Sequence, residues 1–505
     1  MNNSPHVVSI HILDNDSLLN IFSLYRPFFL GEDENFVGLQ FGGNSELGWK
    51  YGRWWYILTH VCQRWRNLIL GSASYLRLSL VCTNGTPVAN MLQLSPPLPL
   101  TVDYCSENGI TANDEEGLLL ALEQRDRIRH LRLFLPLRDL QKFVMAIDEE
   151  FPILEYLIVD PWTNDDSTAL MLPETLQAPN LRHLTLRGFA CPIRSRLVHP
   201  TAMGLVTLYL IINHTSAYFQ PDILLQGISF MPQLENLGIL FAFPVPNRDV
   251  ERQLTHTPIT THITLPNLRR FAFRGVSAYL EAVVYRITTP RLENLQIQFF
   301  KQLTFSVPRL ELLMNTTENL RFDNARIAFQ NERVLMYFRE ANKFSCRVGV
   351  YCWHLDWQVS SVAQISNALS QVSSAVEHLE LLHEVHSRSS EEHNDVDRTE
   401  WRSLLRSFSN VKSLFVEEGL VEQLSRCLGL EDGESPLELL PELQELTYHG
   451  RRDTSDAFTP FIDARRSAGR LVTVVHPNPI PSPPRSPIAP AITSASGEPG
   501  NVINT

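Results

Sequence analysis

The densest gathering of groups able to ligate metal or move protons is His378, His383, His386, Glu391, Glu392, His393, Asp395 and Asp397. A structural metal site needs ligands at defined spacing, with hydrogen bonds behind them. Here no fixed spacing recurs: His383 and His386 can share a face, whereas His393 lies beyond a Ser/Arg stretch. The cluster reads as a solvated loop between two structural units, and no metal is expected. Cys346 and Cys352 fall at strand spacing on one face, which buried reduced thiols explain. Cys62, Cys82, Cys105, Cys191 and Cys427 complete an odd total of seven with no Cys-x-x-Cys pair. That usage fits a reducing compartment and argues against a zinc or disulfide frame. The Gly-x-Ser-x-Gly, Walker, Gly-x-Gly-x-x-Gly and His-Glu-x-x-His motifs are all missing. Neither catalytic residues nor cofactors are therefore expected.

The spacing that does stand out is apolar. Leu58, Val61, Cys62, Trp65, Leu68 and Ile69 recur at helical intervals and share one face. Leu18, Leu19 and Phe22, with Ile21 flanking, form a similar face on an earlier helix, for which Asp14, Asn15 or Asp16 can serve as N-cap. Fully burying each such large side chain is worth about 1.5–3 kcal/mol. A unit of two or three short helices is nevertheless marginal alone and gains stability by packing on a partner.

What must position these helices is the rest of the 505-residue chain, of which 44% is hydrophobic. One phrase keeps returning: apolar, two others, apolar, one other, apolar. It appears as Ile128-Leu131-Leu133, Leu154-Leu157-Val159, Leu181-Leu184-Leu186, Leu205-Leu208-Leu210, Leu234-Leu237-Ile239, Leu268-Phe271-Phe273 and Leu292-Leu295-Ile297. It then weakens, and recurs as Val376-Leu379-Leu381, Val411-Leu414-Val416 and Leu443-Leu446-Tyr448. Its last residues alternate with polar ones, which is strand periodicity. A proline often precedes it, as at Pro152, Pro179, Pro232, Pro266, Pro290 and Pro441, where it ends a helix and launches an extended segment. Between phrases lie helical faces: Leu137, Leu140, Phe143, Val144, Ile147 and Phe151; Leu280, Val283, Val284 and Ile287; Val359, Val362, Ile365, Leu369 and Val372. Asn113 to Glu116 resembles an N-cap with an acid three residues on. Successive middle anchors are 24 residues apart between Leu184 and Leu208 and 35 between Leu379 and Leu414, bracketing and exceeding the leucine-rich-repeat period. The expected fold class is α/β: a small N-terminal helical module over residues 1–72, then an irregular β/α leucine-rich-repeat-like solenoid over 73–475, then a disordered Pro/Ser-rich tail over 476–505. An ordinary α/β sheet protein is the competing architecture.

The net charge of −12 argues against general nucleic-acid binding, which needs clustered Lys and Arg. No run of about 18 apolar residues occurs, so no membrane span is expected. The first residues lack a basic start followed by an apolar stretch, so a secretory signal is not expected either. Asn213-His214-Thr215 and Asn315-Thr316-Thr317 are then chance glycosylation sequons, and the chain is placed in the cytoplasm or nucleus. Ser482-Pro483 and Ser486-Pro487 are candidate proline-directed phosphorylation sites in the tail.

The N-terminal segments Leu13-Asp14-Asn15-Asp16-Ser17-Leu18-Leu19-Asn20-Ile21-Phe22 and Val61-Cys62-Gln63-Arg64-Trp65-Arg66 together resemble an F-box. The family's Leu-Pro opening is here Leu13-Asp14, and a long aromatic-rich insert (about 26–56), with Phe28, Phe29, Trp49, Trp54 and Trp55 in or beside it, separates the helices. A widened gap followed by Val-Cys-x-x-Trp-Arg and the stretch Tyr75-Leu76-Arg77-Leu78-Ser79-Leu80, read as a Leu-x-Leu strand, resembles the expanded F-box families of mushroom-forming fungi. The resemblance implies a substrate adaptor that binds a Skp-type linker, and through it a cullin–RING ubiquitin ligase. It places linker contacts at Leu13, Leu18, Leu19, Ile21, Phe22, Val61, Cys62, Trp65 and Arg66. By strand register, Arg132, Phe134, Asp160, Thr185, Arg187, Tyr209, Arg274, Gln296 and Gln298 point away from the core, toward the concave face that would hold a protein target. Three other readings stand beside this one: helices that are simply an N-terminal cap of the solenoid, an interaction scaffold whose F-box is degenerate because of Asp14 and the insert, and an enzyme on an unrecognised α/β fold.

Overall fold

A computed structural model of the chain describes residues 12–25, 54–162, 169–173, 175–190, 201–243, 262–317, 320, 322–340, 343–384, 396–429, 434–448 and 457–475. The Pro/Ser-rich tail and residues 26–53 of the insert lie outside them.

Alternation of Leu with polar residues makes strands that are apolar on one face, and such faces must stack to be buried. Among the described residues they do so in one 16-stranded sheet. Seven strands run in chain order and in parallel: β1 (Leu80–Thr83), β2 (Leu100–Cys105), β3 (Ile128–Leu135), β4 (Tyr156–Pro161), β5 (His183–Arg187), β6 (Thr207–Ile212) and β7 (Asn236–Phe241). A small separate pair, β8 (Ile263–Thr264) with β10 (Ile287–Thr288), flanks the next two strands of the large sheet, β9 (Arg270–Gly275) and β11 (Asn294–Phe300). The middle anchors line up in register: Leu131, Leu157, Leu184, Leu208, Leu237, Phe271 and Leu295 lie opposite one another in sequence. The far end repeats the arrangement in β15 (His378–Glu384), β16 (Ser413–Val416), β17 (Glu445–Tyr448) and β18 (Thr473–Val475), where Leu379, Leu414 and Leu446 are aligned.

The phrase weakens between Leu295 and Val376 because the strand–helix unit is replaced there. Three strands, β12 (Asn324–Gln330), β13 (Arg333–Glu340) and β14 (Lys343–Tyr351), form an antiparallel meander. β14 pairs in parallel with β11 and β12 in parallel with β15, so the order in space is β11-β14-β13-β12-β15. The reversed strand costs no core, since Val334, Met336 and Phe338 still alternate inward.

Helices follow the strands and pack side by side along one face of the sheet. Leu137–Ala146 buries Leu140, Phe143 and Val144; Ser277–Val284 buries Leu280, Val283 and Val284; Leu355–Ala368 buries Val359, Val362 and Ile365. At the rim where strands begin, the turns stack by backbone bonds, with Glu155 N–H donating to Arg129 O, Arg182 N–H to Glu155 O, and Glu235 N–H to Val206 O. The result is a mixed α/β chain with a long, mostly parallel sheet backed by helices, consistent with a leucine-rich-repeat-like solenoid.

Two local expectations change. The segment Tyr75 to Leu80 is not a strand up to Leu80: it is a turn in which Arg77 takes φ 49°, and its leucines are buried from that turn. The helix Ala112–Leu122 is capped two residues earlier than expected, by Thr111, whose Oγ1 accepts from Asp114 N–H at 3.2 Å and donates to Asp114 Oδ2 at 2.7 Å.

Candidate functional site

Among the described residues, the N-terminal motif forms three helices: α1 (Asn15–Leu24), α2 (Trp54–Thr59) and α3 (Gln63–Gly71). Asp14 caps α1, its carboxylate accepting from Ser17 N–H at 2.7 Å, and those hydrogen bonds hold its pKa below the ordinary carboxylate value. Arg64 clamps α3 to the start of α1, donating to Leu13 O at 2.7 Å and to Asn15 Oδ1 at 2.9 Å. The rings of Phe22 and Trp65 meet edge to face, 4.8 Å between centroids. Arg66 folds back onto Thr59 O at 3.1 Å, joining α2 to α3. Trp55 Nε1 donates to Ser79 O, and Tyr75 Oη to Asn20 Oδ1, so the helices sit against the first turn of the sheet.

This packing corrects part of the expected linker surface. Leu18 and Phe22 are 0% exposed and belong to the same continuous core as the sheet leucines. An apolar pair enclosed in its own chain has no area left for a foreign surface. Leu13, Leu19 and Trp65 are half-buried against that core, as are Ile21 and Cys62 in their own segments. Arg66 is exposed, and Val61 is 57% exposed. Exposed large apolar side chains gather here that spacing alone did not single out: Ile12, Leu24, Tyr25, Tyr56 and, at 72% exposed, Ile57. Ile57 lies off the buried side of a helix of only six residues, whose buried residues are Trp55 and Thr59.

The second surface is the face of the sheet opposite the helices. Neighbouring strands bring one outward row together: Asp103, Arg132, Ile158, Thr185, Tyr209, Gly238, Ala272, Gln296, Arg347, Tyr337, Arg326 and Glu380 lie in successive register. Arg132, Thr185, Arg187, Arg274, Gln296 and Gln298 are exposed or half-buried on this face. Phe134, Asp160 and Tyr209 point to it as expected but are buried, which withdraws them from partner contact. Phe134 packs edge-on to Trp162 at 4.9 Å. Asp160 lies beneath Arg187, 3.1 Å away, and burial outweighs that cation to raise its pKa to about 6. Tyr209 lies flat over Gly238, where any Cβ would collide with the ring.

Arginine dominates the middle of this face: beyond Arg132, Arg187 and Arg274, which register alone placed there, the meander adds Arg326, Arg333, Arg339 and Arg347. Arg347 donates to Gln296 Oε1 at 3.2 Å, and Arg333 to Gln330 Oε1 at 2.8 Å. Arg326 and Arg339 share Glu380 at 2.5 and 2.7 Å. Burial lowers the pKa of Arg347, and neighbouring Arg333 lowers it further. At the strand starts, His130, Tyr156 and His183 form a ring stack, with Tyr156 and His183 parallel at 4.0 Å. Burial pushes His183 down to about 4, with Arg182 adding to the effect.

The loop expected from the His/Glu/Asp cluster lies mostly outside the described residues. Among those described, Asp397 caps the helix Arg398–Arg406, His383 packs on Gly419, and no group of metal-binding residues converges. Cys346 and Cys352 are buried thiols with pKa values raised by that burial, in keeping with inert core cysteines. A cavity of 420 Å³ near the helix Arg398–Arg406 is lined by Arg398, Trp401, Gln423, Arg426 and Cys427. No described helix is long and apolar enough to cross a membrane.

No family model matches the chain, and no curated protein matches it. Among solved structures, the chain is similar to the leucine-rich repeat-containing protein LegL7 from Legionella pneumophila, at 12% identity and a TM-score of 0.26, over 78% of this chain and 99% of that one.

Proposed function

We propose that the chain is a non-catalytic adaptor of a Skp–cullin–F-box type ubiquitin ligase. Its N-terminal helices engage a Skp-type linker, and the helix-free face of its sheet holds a protein target. The observation that carries this reading is the pairing of a rigid base with an exposed apolar edge. Phe22, Trp65 and Arg64 fix α1 against α3, while Ile57 and Val61 stand out from the α2–α3 corner. A patch of this kind on a small helical unit fits a protein contact better than a solvated surface. Ubiquitin transfer to the bound target would then be accelerated by proximity alone. The setting is intracellular, with neither nucleic acid nor membrane as partner.

The test is co-purification with a purified Skp-type linker. Ile57→Asp with Val61→Asp puts two charges on the exposed edge and touches none of the buried contacts. The pair is expected to abolish linker capture while the thermal unfolding of the chain is unchanged. Full-strength capture by the double variant would refute the assignment.

A second reading has its own observation. Leu18 and Phe22 share one core with the sheet, as the end cap of a solenoid does. If the helices serve only as a cap on an interaction scaffold, the wild-type chain will not bind the linker at all.

A further inference from the structure

The C-terminal ends of β9, β11 and β14 carry donors and aromatics that the adaptor reading leaves unassigned. Arg274 uses Nε on Phe241 O and reaches Tyr351 Oη at 3.5 Å, leaving further N–H groups of its fork. Gln298, beside Arg274 in register, has a buried Nε2 with no hydrogen-bond partner. Arg333 stands close enough to Arg347 to disfavour the Arg347 charge, and Arg333 lies opposite Tyr351. Among the described residues, Arg274, Arg333 and Arg347 donate to amide, phenol and backbone oxygens rather than to carboxylates. Tyr351 stacks on Phe300, and the chain runs from these two residues into an exposed aromatic rim. There Trp353 is 67% exposed, Trp357 is partly exposed beneath the Lys301 ammonium, and Leu303 is exposed. Asp356 lies near the Lys301 ammonium at this rim, and its Oδ1 accepts from Trp357 N–H.

We infer that this end of the sheet is a docking site for an acidic peptide segment of a partner protein, whose carboxylates are met by Arg274, Arg333 and Arg347 and whose flanking apolar side chain rests on Trp353. Three guanidiniums without a carboxylate counterpart among the described residues, on a chain of net charge −12, are a local inversion of the molecule's field. Charge complementarity therefore selects the partner, and Trp, Tyr and Arg are the side chains that carry most binding energy at protein interfaces. The inference rests on the sheet face being the target side of the adaptor, and it is independent of linker binding.

The experiment pans a displayed library of random dodecapeptides on the full-length chain, then titrates the selected peptide by fluorescence anisotropy. Selected sequences are expected to be rich in Asp and Glu around a Leu, Phe or Trp. Arg347→Gln and, separately, Trp353→Ser at the exposed rim are each expected to weaken binding at least about tenfold, and added salt to weaken it further. Because Trp353 is exposed, the second variant reads the site even if the first fails to fold. The inference is overturned by peptides without acidic excess, by no selection at all, or by affinities that neither variant changes. It is also overturned by a phosphoserine peptide that binds far more tightly than its glutamate counterpart, or by self-association that Trp353→Ser abolishes. Failure here with linker capture intact removes the peptide site and leaves the adaptor reading in place.

Discussion

Phe22 and Trp65 are where a change of one side chain separates scaffold from contact surface. Phe22 is enclosed, so Phe22→Ala should destabilise the N-terminal helices by about 3–5 kcal/mol, read as early loss of helix signal in thermal unfolding. Trp65→Ala should act the same way and more mildly, and any loss of partner binding it causes would be indirect. His183 offers a pH test. Its folded pKa of about 4 lies below the ordinary histidine value of 6.5, so the unfolded chain binds the extra proton first. Its contribution is fully present above pH 6.5 and is lost as pH falls toward 4, on the order of 2 kcal/mol in all. Urea midpoints measured across that window should fall with pH in the wild type and fall less in His183→Phe. Asp160, raised to about 6, has the opposite sign: its contribution is present below 3.8 and declines as pH rises through 6, so the two must be separated by variants. Which helical side chains face outward was not legible in residue types. A helical stripe names a buried face without saying whether its own chain or another covers it, and that is why Leu18 and Phe22 were assigned to a partner.

At the scale of elements, the parallel strands were readable because each must bury the same side on the same neighbours. A Leu-x-x-Leu-x-Leu phrase after a proline satisfies strand period, launch and stacking at once. The meander β12–β14 was not readable, since an antiparallel hairpin needs neither a helix nor a launching proline. Its alternation, Val334, Met336 and Phe338, has no repeat to compare with. The turn at Arg77 was missed because Leu76 and Leu78 carry strand-like spacing in a segment whose φ of 49° at Arg77 turns the chain. The last unit is held by a side chain that spacing could not reveal. Arg465 is 0% exposed on the helix Thr459–Ser467, and its guanidinium donates to the carbonyls of Leu439, Pro441 and Leu443 at 3.0–3.3 Å. Arg465→Met would leave those carbonyls without their donor. The expected cost is about 2–4 kcal/mol, confined to the end of the sheet. Hydrogen exchange should quicken in β17 and β18 while β3 to β7 stay protected.

Across the whole molecule, one core runs from Leu18 to Val472, so the helical module and the sheet share a single packed interior. That continuity gives a fixed distance between the N-terminal corner and the arginine-rich sheet face, which an adaptor acting by proximity requires. It also means that linker binding should be felt locally, at the exposed corner, and not as a rearrangement of the sheet. The architecture was legible from the repeating phrase; the chemistry of the sheet face was not, because charge sign on an outward row depends on which strands become neighbours. The most direct measurement is hydrogen exchange of the full chain with and without a purified Skp-type linker. The account predicts slowed exchange in Trp54–Gly71 and at the end of α1, with the strands from β3 onward unchanged. Equal exchange in the N-terminal helices with linker present, or protection that falls on the sheet instead, would contradict it.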